Sequence, residues 1–128
     1  MQETILVADD EPFVLRTVSS ILARGGYDVL EAGSSREALR IAAETAEPID
    51  LLVCDVIMPG ISGPSLADRF VELHPETRCI FMAGMPDSQE VYERILSRGK
   101  SFLPKPFLPG TLLAKVRLVL DGEAARVA

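Results

Sequence analysis

At 128 residues the chain is long enough to close one hydrophobic core, and its composition, 48% hydrophobic and 25% charged, is that of an ordinary soluble globular domain. A net charge of −6 without any cluster of Lys and Arg argues against direct nucleic-acid binding and favours a cation or a basic partner surface. No apolar run approaches the roughly 18 residues of a membrane span, and Glu3, Asp9 and Asp10 interrupt the N-terminal apolar segment that a signal peptide would need, so no membrane association and a cytoplasmic location are expected.

Five short apolar runs alternate with helical patterns. Ile5-Leu6-Val7-Ala8 has the continuous apolarity of a strand buried on both faces. Pro12 suits a first helical turn, Val14, Val18, Ile21 and Leu22 recur at helical spacing, and Gly25-Gly26 stops the helix. Asp28-Val29-Leu30-Glu31 is a more polar strand, as expected at a sheet edge. Ser34-Ser35-Arg36-Glu37 has the form of a capping box ahead of a helix carrying Ala38, Ile41, Ala42 and Thr45. Leu51-Leu52-Val53-Cys54 is the third strand and ends in Asp55; Pro64 then opens a helix carrying Leu66, Phe70 and Leu73. Cys79-Ile80-Phe81-Met82 is the fourth strand and runs into Ala83-Gly84. A helix with Val91 and Ile95 is expected after Asp87, ended by Gly99. Ser101-Phe102-Leu103 is a minimal fifth strand, and Leu112, Val116, Val119 and Leu120 mark a last helix closed by Gly122.

Five βα units with short connections predict an α/β fold: a doubly wound, five-stranded parallel sheet of order 2-1-3-4-5 with helices on both faces, flavodoxin-like. Residues 1–122 form one domain and residues 123–128 a short polar tail that can fray. Cys54 and Cys79 lack CxxC spacing and read as buried strand thiols; His74, before Pro75, reads as a surface loop residue.

In such sheets, sites form at the carboxyl ends of the strands. There strand 1 delivers Asp9 and Asp10, strand 3 delivers Asp55, strand 5 leads to Lys105, and strand 4 offers only Ala83 and Gly84. Three converging carboxylates repel unless a counter-charge is present, which a hard divalent ion with oxygen ligands supplies; Lys105 adds a second positive charge able to reach a phosphoryl oxygen. A carboxylate, a metal and a lysine together can support phosphoryl transfer onto the carboxylate, and Asp55, between the acid pair and the lysine, is the expected acceptor.

The segments Val7-Ala8-Asp9-Asp10-Glu11, Asp55-Val56-Ile57-Met58-Pro59-Gly60-Ile61-Ser62-Gly63 and Phe102-Leu103-Pro104-Lys105-Pro106-Phe107 together resemble the receiver domains of two-component response regulators, the CheY-like superfamily. The likeness extends from about Thr4 to Asp121. It implies Asp55 as phosphoacceptor, taking its phosphoryl group from a sensor histidine kinase or a histidine phosphotransfer protein. It also implies Mg²⁺ (or Mn²⁺) held by Asp10 directly, Asp9 through water, Asp55 and the Ile57 carbonyl. Lys105 is implied as the phosphate contact, ahead of a cis bond to Pro106, with Phe102 as a switch aromatic. Downstream docking, or a homodimer, is implied on the face of the fourth helix, fifth strand and last helix. By the same resemblance the chain is no enzyme beyond its own phosphorylation and dephosphorylation.

One position departs from that pattern. Ala83 stands where receivers usually present Ser or Thr, and a lost hydroxyl donor to a charged acceptor is worth roughly 1.5–3 kcal/mol in the phosphorylated state. The expectation is that Asp55 still accepts a phosphoryl group while its coupling to Phe102 is weakened. Ile57 and Met85, both apolar, flank the path of attacking water in the resembling fold, which predicts a long-lived acyl phosphate. A non-catalytic, receiver-like interaction module is the alternative that Ala83 favours. An aspartyl phosphatase of the haloacid type would want an Asp where Ile57 stands, and a flavin site would want a Ser/Thr/Gly loop in place of Asp-Asp-Glu-Pro.

Overall fold

The computed structural model describes residues 2–84 and 101–122. In chain order these form β1 (Thr4–Ala8), α1 (Pro12–Arg24), β2 (Asp28–Ala32), α2 (Ser35–Glu44), β3 (Leu51–Asp55), α3 (Gly63–Leu73), β4 (Arg78–Gly84), β5 (Ser101–Lys105) and α4 (Pro109–Leu120). The strands make one parallel sheet of order β2-β1-β3-β4-β5, the expected doubly wound arrangement. The helix predicted after Asp87, Met85 and the tail beyond Gly122 lie outside the described residues.

Burial explains the order. β1 and β3 are central, and Ile5 through Ala8 and Leu51 through Cys54 are wholly buried. β2 takes the edge, where Asp28 and Glu31 remain in water. Alternate side chains leave the sheet on opposite faces. Leu6, Leu52, Cys54 and Phe81 pack with Ala38 and Ala42 of α2 and Leu66 and Phe70 of α3. Ile5, Val7, Val53, Ile80 and Met82 pack with Val18 and Leu22 of α1 and Leu112 and Val116 of α4. Both cysteines are free and buried, as expected. The Cys54 thiol is pushed well above its usual range, first by its contact with Cys79 and then by burial.

At the amino-terminal ends of the strands, polar groups close the sheet in specific pairs. The Asp50 carboxylate accepts from the Thr4 amide at 2.8 Å, and Thr77 Oγ1 donates to the Ile49 carbonyl at 2.6 Å. Arg78 Nη1 donates to the Val119 carbonyl at 2.7 Å. Arg117 on α4 meets Glu3 at 3.0 Å, Asp121 at 2.9 Å and the Tyr27 hydroxyl at 3.3 Å.

Several local expectations change. β5 runs on through Pro104 to Lys105 instead of stopping at Leu103, so the lysine is part of the strand. An outer strand position accommodates Pro104, which has no N–H to donate. His74 is not a free loop residue: it caps α3, its ring lies 5.7 Å from that of Phe70, and Nε2 lies 2.9 Å from the Ala42 carbonyl, tying α3 to α2. Leu73 is 48% exposed and leaves the core to Phe70, and Thr45 is extended past the end of α2. The capping box is half as drawn. Ser34 Oγ accepts from the Glu37 amide at 3.0 Å, but Glu37 reaches back to the Gly33 amide at 2.6 Å instead of that of Ser34.

Candidate functional site

Register brings the site together. β1 ends beside β3 with Ala8 opposite Cys54, Asp55 stands opposite Met82 on β4, and Gly84 stands opposite Lys105 on β5. Each strand therefore releases its polar residue at the same edge of the sheet. Asp9 and Asp10 follow β1, Asp55 ends β3 and Lys105 ends β5. Carboxylate oxygens of Asp9, Asp10 and Asp55 all lie within 4.8 Å of one another.

The three acids are not equivalent. Asp9 is fully buried, Asp55 half-buried and Asp10 exposed. Asp9 is held in place by the Glu11 amide, which donates to Oδ1 at 2.9 Å, and by Lys105, 3.3 Å from Oδ2. Its carboxyl pKa is nonetheless raised. Burial is the chief cause and the neighbouring charge of Asp55 adds to it, against the lowering effects of the Glu11 amide and Lys105. Lys105 Nζ reaches Asp55 Oδ2 at 2.8 Å. Burial alone would make that ammonium more acidic, but Asp55 and Asp9 outweigh it and the Lys105 pKa is raised. The Ile57 amide donates to Asp55 Oδ1 at 3.2 Å, so both acceptor oxygens are oriented.

One ammonium faces three carboxylates here, an imbalance that a hard cation would relieve. The donors are all oxygens, and the exposed side of Asp10 leaves access for water, so the residues present fit an ion such as Mg²⁺. The Lys105–Pro106 bond is cis. Ala83 is buried in the same cluster as Phe102, which is only 5% exposed. Ile57 is 61% exposed, and Phe13 and Leu108, at 78% and 73%, add further apolar surface among the exposed residues at the start of α1 and of α4. Between those helices a shallow groove of about 280 Å³ reaches Lys105, lined by Phe13, Val14, Ile21 and Phe107.

The loop after Asp55 contains two features that sequence reasoning did not assign. Gly63 sits against the backbone of Asp55, where a Cβ would collide with the Asp55 carbonyl oxygen, and its amide donates to the Val56 carbonyl at 2.8 Å. The spaced pattern ending in Gly63 was the available signal. Ser35 Oγ donates to the Ile61 carbonyl at 2.6 Å. No local signal marks that contact, since Ser35 reads simply as a residue of a helix start.

Residues 5–117 match the response regulator receiver domain family. The sensor kinase CckA of Brucella abortus is 35% identical over 122 residues, spanning 94% of this chain and 13% of the kinase. Across several curated relatives the chain spans less than half of the relative's length. A CheY-like receiver domain protein from Methanospirillum hungatei has a TM-score of 0.84 at 28% identity, each chain covered completely. A response regulator from Burkholderia pseudomallei, solved with a phosphorylated aspartic acid and a calcium ion, has a TM-score of 0.79 at 27% identity, with 99% of this chain and 74% of that chain covered. Receiver domains of this kind interact with histidine kinases and downstream effectors and are not enzymes in the usual sense, and no described helix is long and apolar enough to cross a membrane. Sheet order, the clustered acids and the match over residues 5–117 lead to one conclusion: the chain belongs to the response regulator receiver domain family of two-component signalling.

Proposed function

We propose that this chain accepts a phosphoryl group on Asp55 from a phosphohistidine of a sensor kinase or a histidine phosphotransfer protein. The observation that carries the reading is the contact of Lys105 with Asp55 at 2.8 Å inside a cluster of three carboxylates. In the transfer, an Asp55 oxygen forms a bond to phosphorus as the N–P bond of the donor breaks. The leaving imidazole nitrogen keeps the electron pair and takes up a proton from water. Lys105 stays protonated and follows the charge from the Asp55 carboxylate to the new phosphoryl oxygens. Mg²⁺ or Mn²⁺ held by Asp9, Asp10, Asp55 and the Ile57 carbonyl would supply the positive charge that lets an anionic carboxylate meet an anionic phosphoryl group.

The phosphorylated aspartate of the Burkholderia response regulator supports the same chemistry in a structural neighbour. Exposed Phe13, in the groove that reaches Lys105, suits a protein donor better than a small solute. Downstream partners dock on the face of β5 and the last helix, with or without a second copy of the chain. Reaction stays in the cytoplasm, where kinases of this class keep their phosphorylated histidines.

The read-out is atypical because Ala83 has no hydroxyl to follow the phosphoryl group, and Phe102 is already buried against the Ala83 cluster. Phosphorylation therefore moves Phe102 less than a Ser or Thr at position 83 would. Apolar Ile57 cannot orient an attacking water, so the acyl phosphate is long-lived; rapid loss of the phosphoryl group from the isolated protein would contradict this. Ala83→Thr is expected to strengthen the response of partner affinity to phosphorylation; unchanged uptake, lifetime and affinity would remove Ala83 from the account.

Incubation with a small phosphodonor and Mg²⁺, followed by intact-mass measurement, tests the central step. One added phosphoryl group, absent from Asp55→Asn, is expected. No added mass on the wild-type chain would instead favour the interaction module that signals by binding alone, a reading to which Ala83 lends its weight.

A further inference from the structure

Ser35 is 2% exposed at the first position of α2, far from Asp55 in sequence, and its hydroxyl is spent on the Ile61 carbonyl at 2.6 Å. Ile61 lies on the returning limb of the loop that joins Asp55 to α3. The base of that loop is fixed twice. The Val56 amide donates to the Met82 carbonyl at 2.9 Å, and the Gly63 amide donates to the Val56 carbonyl at 2.8 Å. Met58 is buried and Ile61 packs against the core, which holds the loop by its apolar side chains. Between those points, residues 59–61 turn tightly, with the Ile61 amide donating to the Pro59 carbonyl at 3.1 Å and Gly60 at a φ of +82°. The Ser35 hydroxyl ties the backbone of this limb to another element.

The anchor itself is rigid. Ser34 caps α2 through the Glu37 amide, and the Glu37 carboxylate returns to the Gly33 amide, so the first turn that carries Ser35 is held from both sides. What the loop holds in turn is Ile57. Its amide orients the Asp55 carboxylate at 3.2 Å, and its carbonyl is the backbone ligand of the proposed metal site.

We propose that Ser35 is a positioning residue for the phosphoacceptor, acting through the loop to keep the Ile57 amide on Asp55 and to hold in place the Ile57 carbonyl, the backbone ligand of the proposed metal site. The inference rests on the proposed function for its consequence, and on the loop geometry alone for its mechanism. A buried hydroxyl-to-carbonyl bond is worth enough that its loss leaves the Ile61 carbonyl without its donor and lets the limb drift. Misplacement of that kind weakens an octahedral oxygen site more than it weakens the fold, because Mg²⁺ tolerates little departure from its geometry.

The test uses the whole chain and four proteins: wild type, Ser35→Ala, Ser35→Thr and Ser34→Ala. Amide hydrogen exchange at Ile57 and Gly63 is measured without metal, and Mg²⁺ binding is measured by calorimetric titration below the unfolding range. Ser35→Ala is expected to speed exchange at Ile57 and to weaken Mg²⁺ binding by about fivefold, the order of one lost hydrogen bond. Ser35→Thr, which keeps the hydroxyl, restores both. Ser34→Ala removes one of the two holds on that turn and lowers stability, but the Glu37 contact with Gly33 and the Ser35 hydroxyl remain, so its effects on Ile57 exchange and Mg²⁺ affinity are expected to be smaller than those of Ser35→Ala. Unaltered Ile57 exchange in Ser35→Ala, or equal effects of Ser34→Ala and Ser35→Ala, would overturn the proposal. A wild-type chain that binds no Mg²⁺ would sink the proposed function instead, and the exchange data would still decide on Ser35.

Discussion

The two ends of the sheet carry similar polar equipment and use it in opposite ways. At the amino-terminal end Asp50 pairs with Thr4, Thr77 with Ile49, Arg78 with Val119 and Arg117 with Glu3. At the carboxyl end three carboxylates cluster, two of them, Asp9 and Asp55, sharing Lys105, and Asp9 is fully buried with its pKa raised. The first pattern closes a structure. The second leaves an unbalanced charge in place, which the cation and phosphoryl group proposed above would relieve.

The sharpest way to break this comparison is Gly63→Ala, at the carboxyl end. Its added methyl group has no room beside the Asp55 carbonyl, and the variant is expected to lose about 3 kcal/mol in urea unfolding together with most phosphoryl uptake. Full stability with normal uptake would mean that the loop is softer than described. Next comes metal addition. Mg²⁺ at about a hundred times its Kd should stabilise wild type by about 2.7 kcal/mol, read as a rise in Tm, whereas Asp10→Ala should show no rise. A similar rise in both would place the ion elsewhere.

Two smaller effects belong to the amino-terminal end. Thr77→Val keeps the shape of the side chain and leaves the Ile49 carbonyl without its donor, with an expected cost of about 1.5 kcal/mol and no change in Mg²⁺ affinity. Arg117→Gln removes an ion-pair cluster at a side chain that is 47% exposed, so solvent screening limits its loss to about 0.5 kcal/mol, shrinking further in salt. If either variant altered Mg²⁺ affinity several-fold, the division between a closing end and a working end would fail.

How much of this was legible in the sequence follows from the range of the interactions. Strand identity rests on local apolar runs such as residues 5–8 and 51–54, and these were readable, as was the arrival of Asp9, Asp10, Asp55 and Lys105 at one sheet edge. The polarity of Asp28 and Glu31 placed β2 at the edge correctly. What escaped are contacts between side chain and distant backbone. His74 resembled a loop residue because the Ala42 carbonyl that it meets is 32 positions away, and Ser35 resembled part of a cap because Ile61 is 26 away. The length of β5 was missed for a different reason: Pro104 signals a strand end locally, and only the pairing of Gly84 with Lys105 shows that the strand continues.

The buried thiols have a practical consequence. Cys54 is wholly buried and Cys79 nearly so in the folded protein, and the raised pKa of Cys54 suppresses its thiolate further. An alkylating reagent should therefore leave native molecules untouched and mark those that have opened. The intact-mass measurement that counts phosphoryl groups would then count unfolding events in the same spectrum, and a single cysteine introduced on the exposed surface could carry a fluorophore without removing either native one.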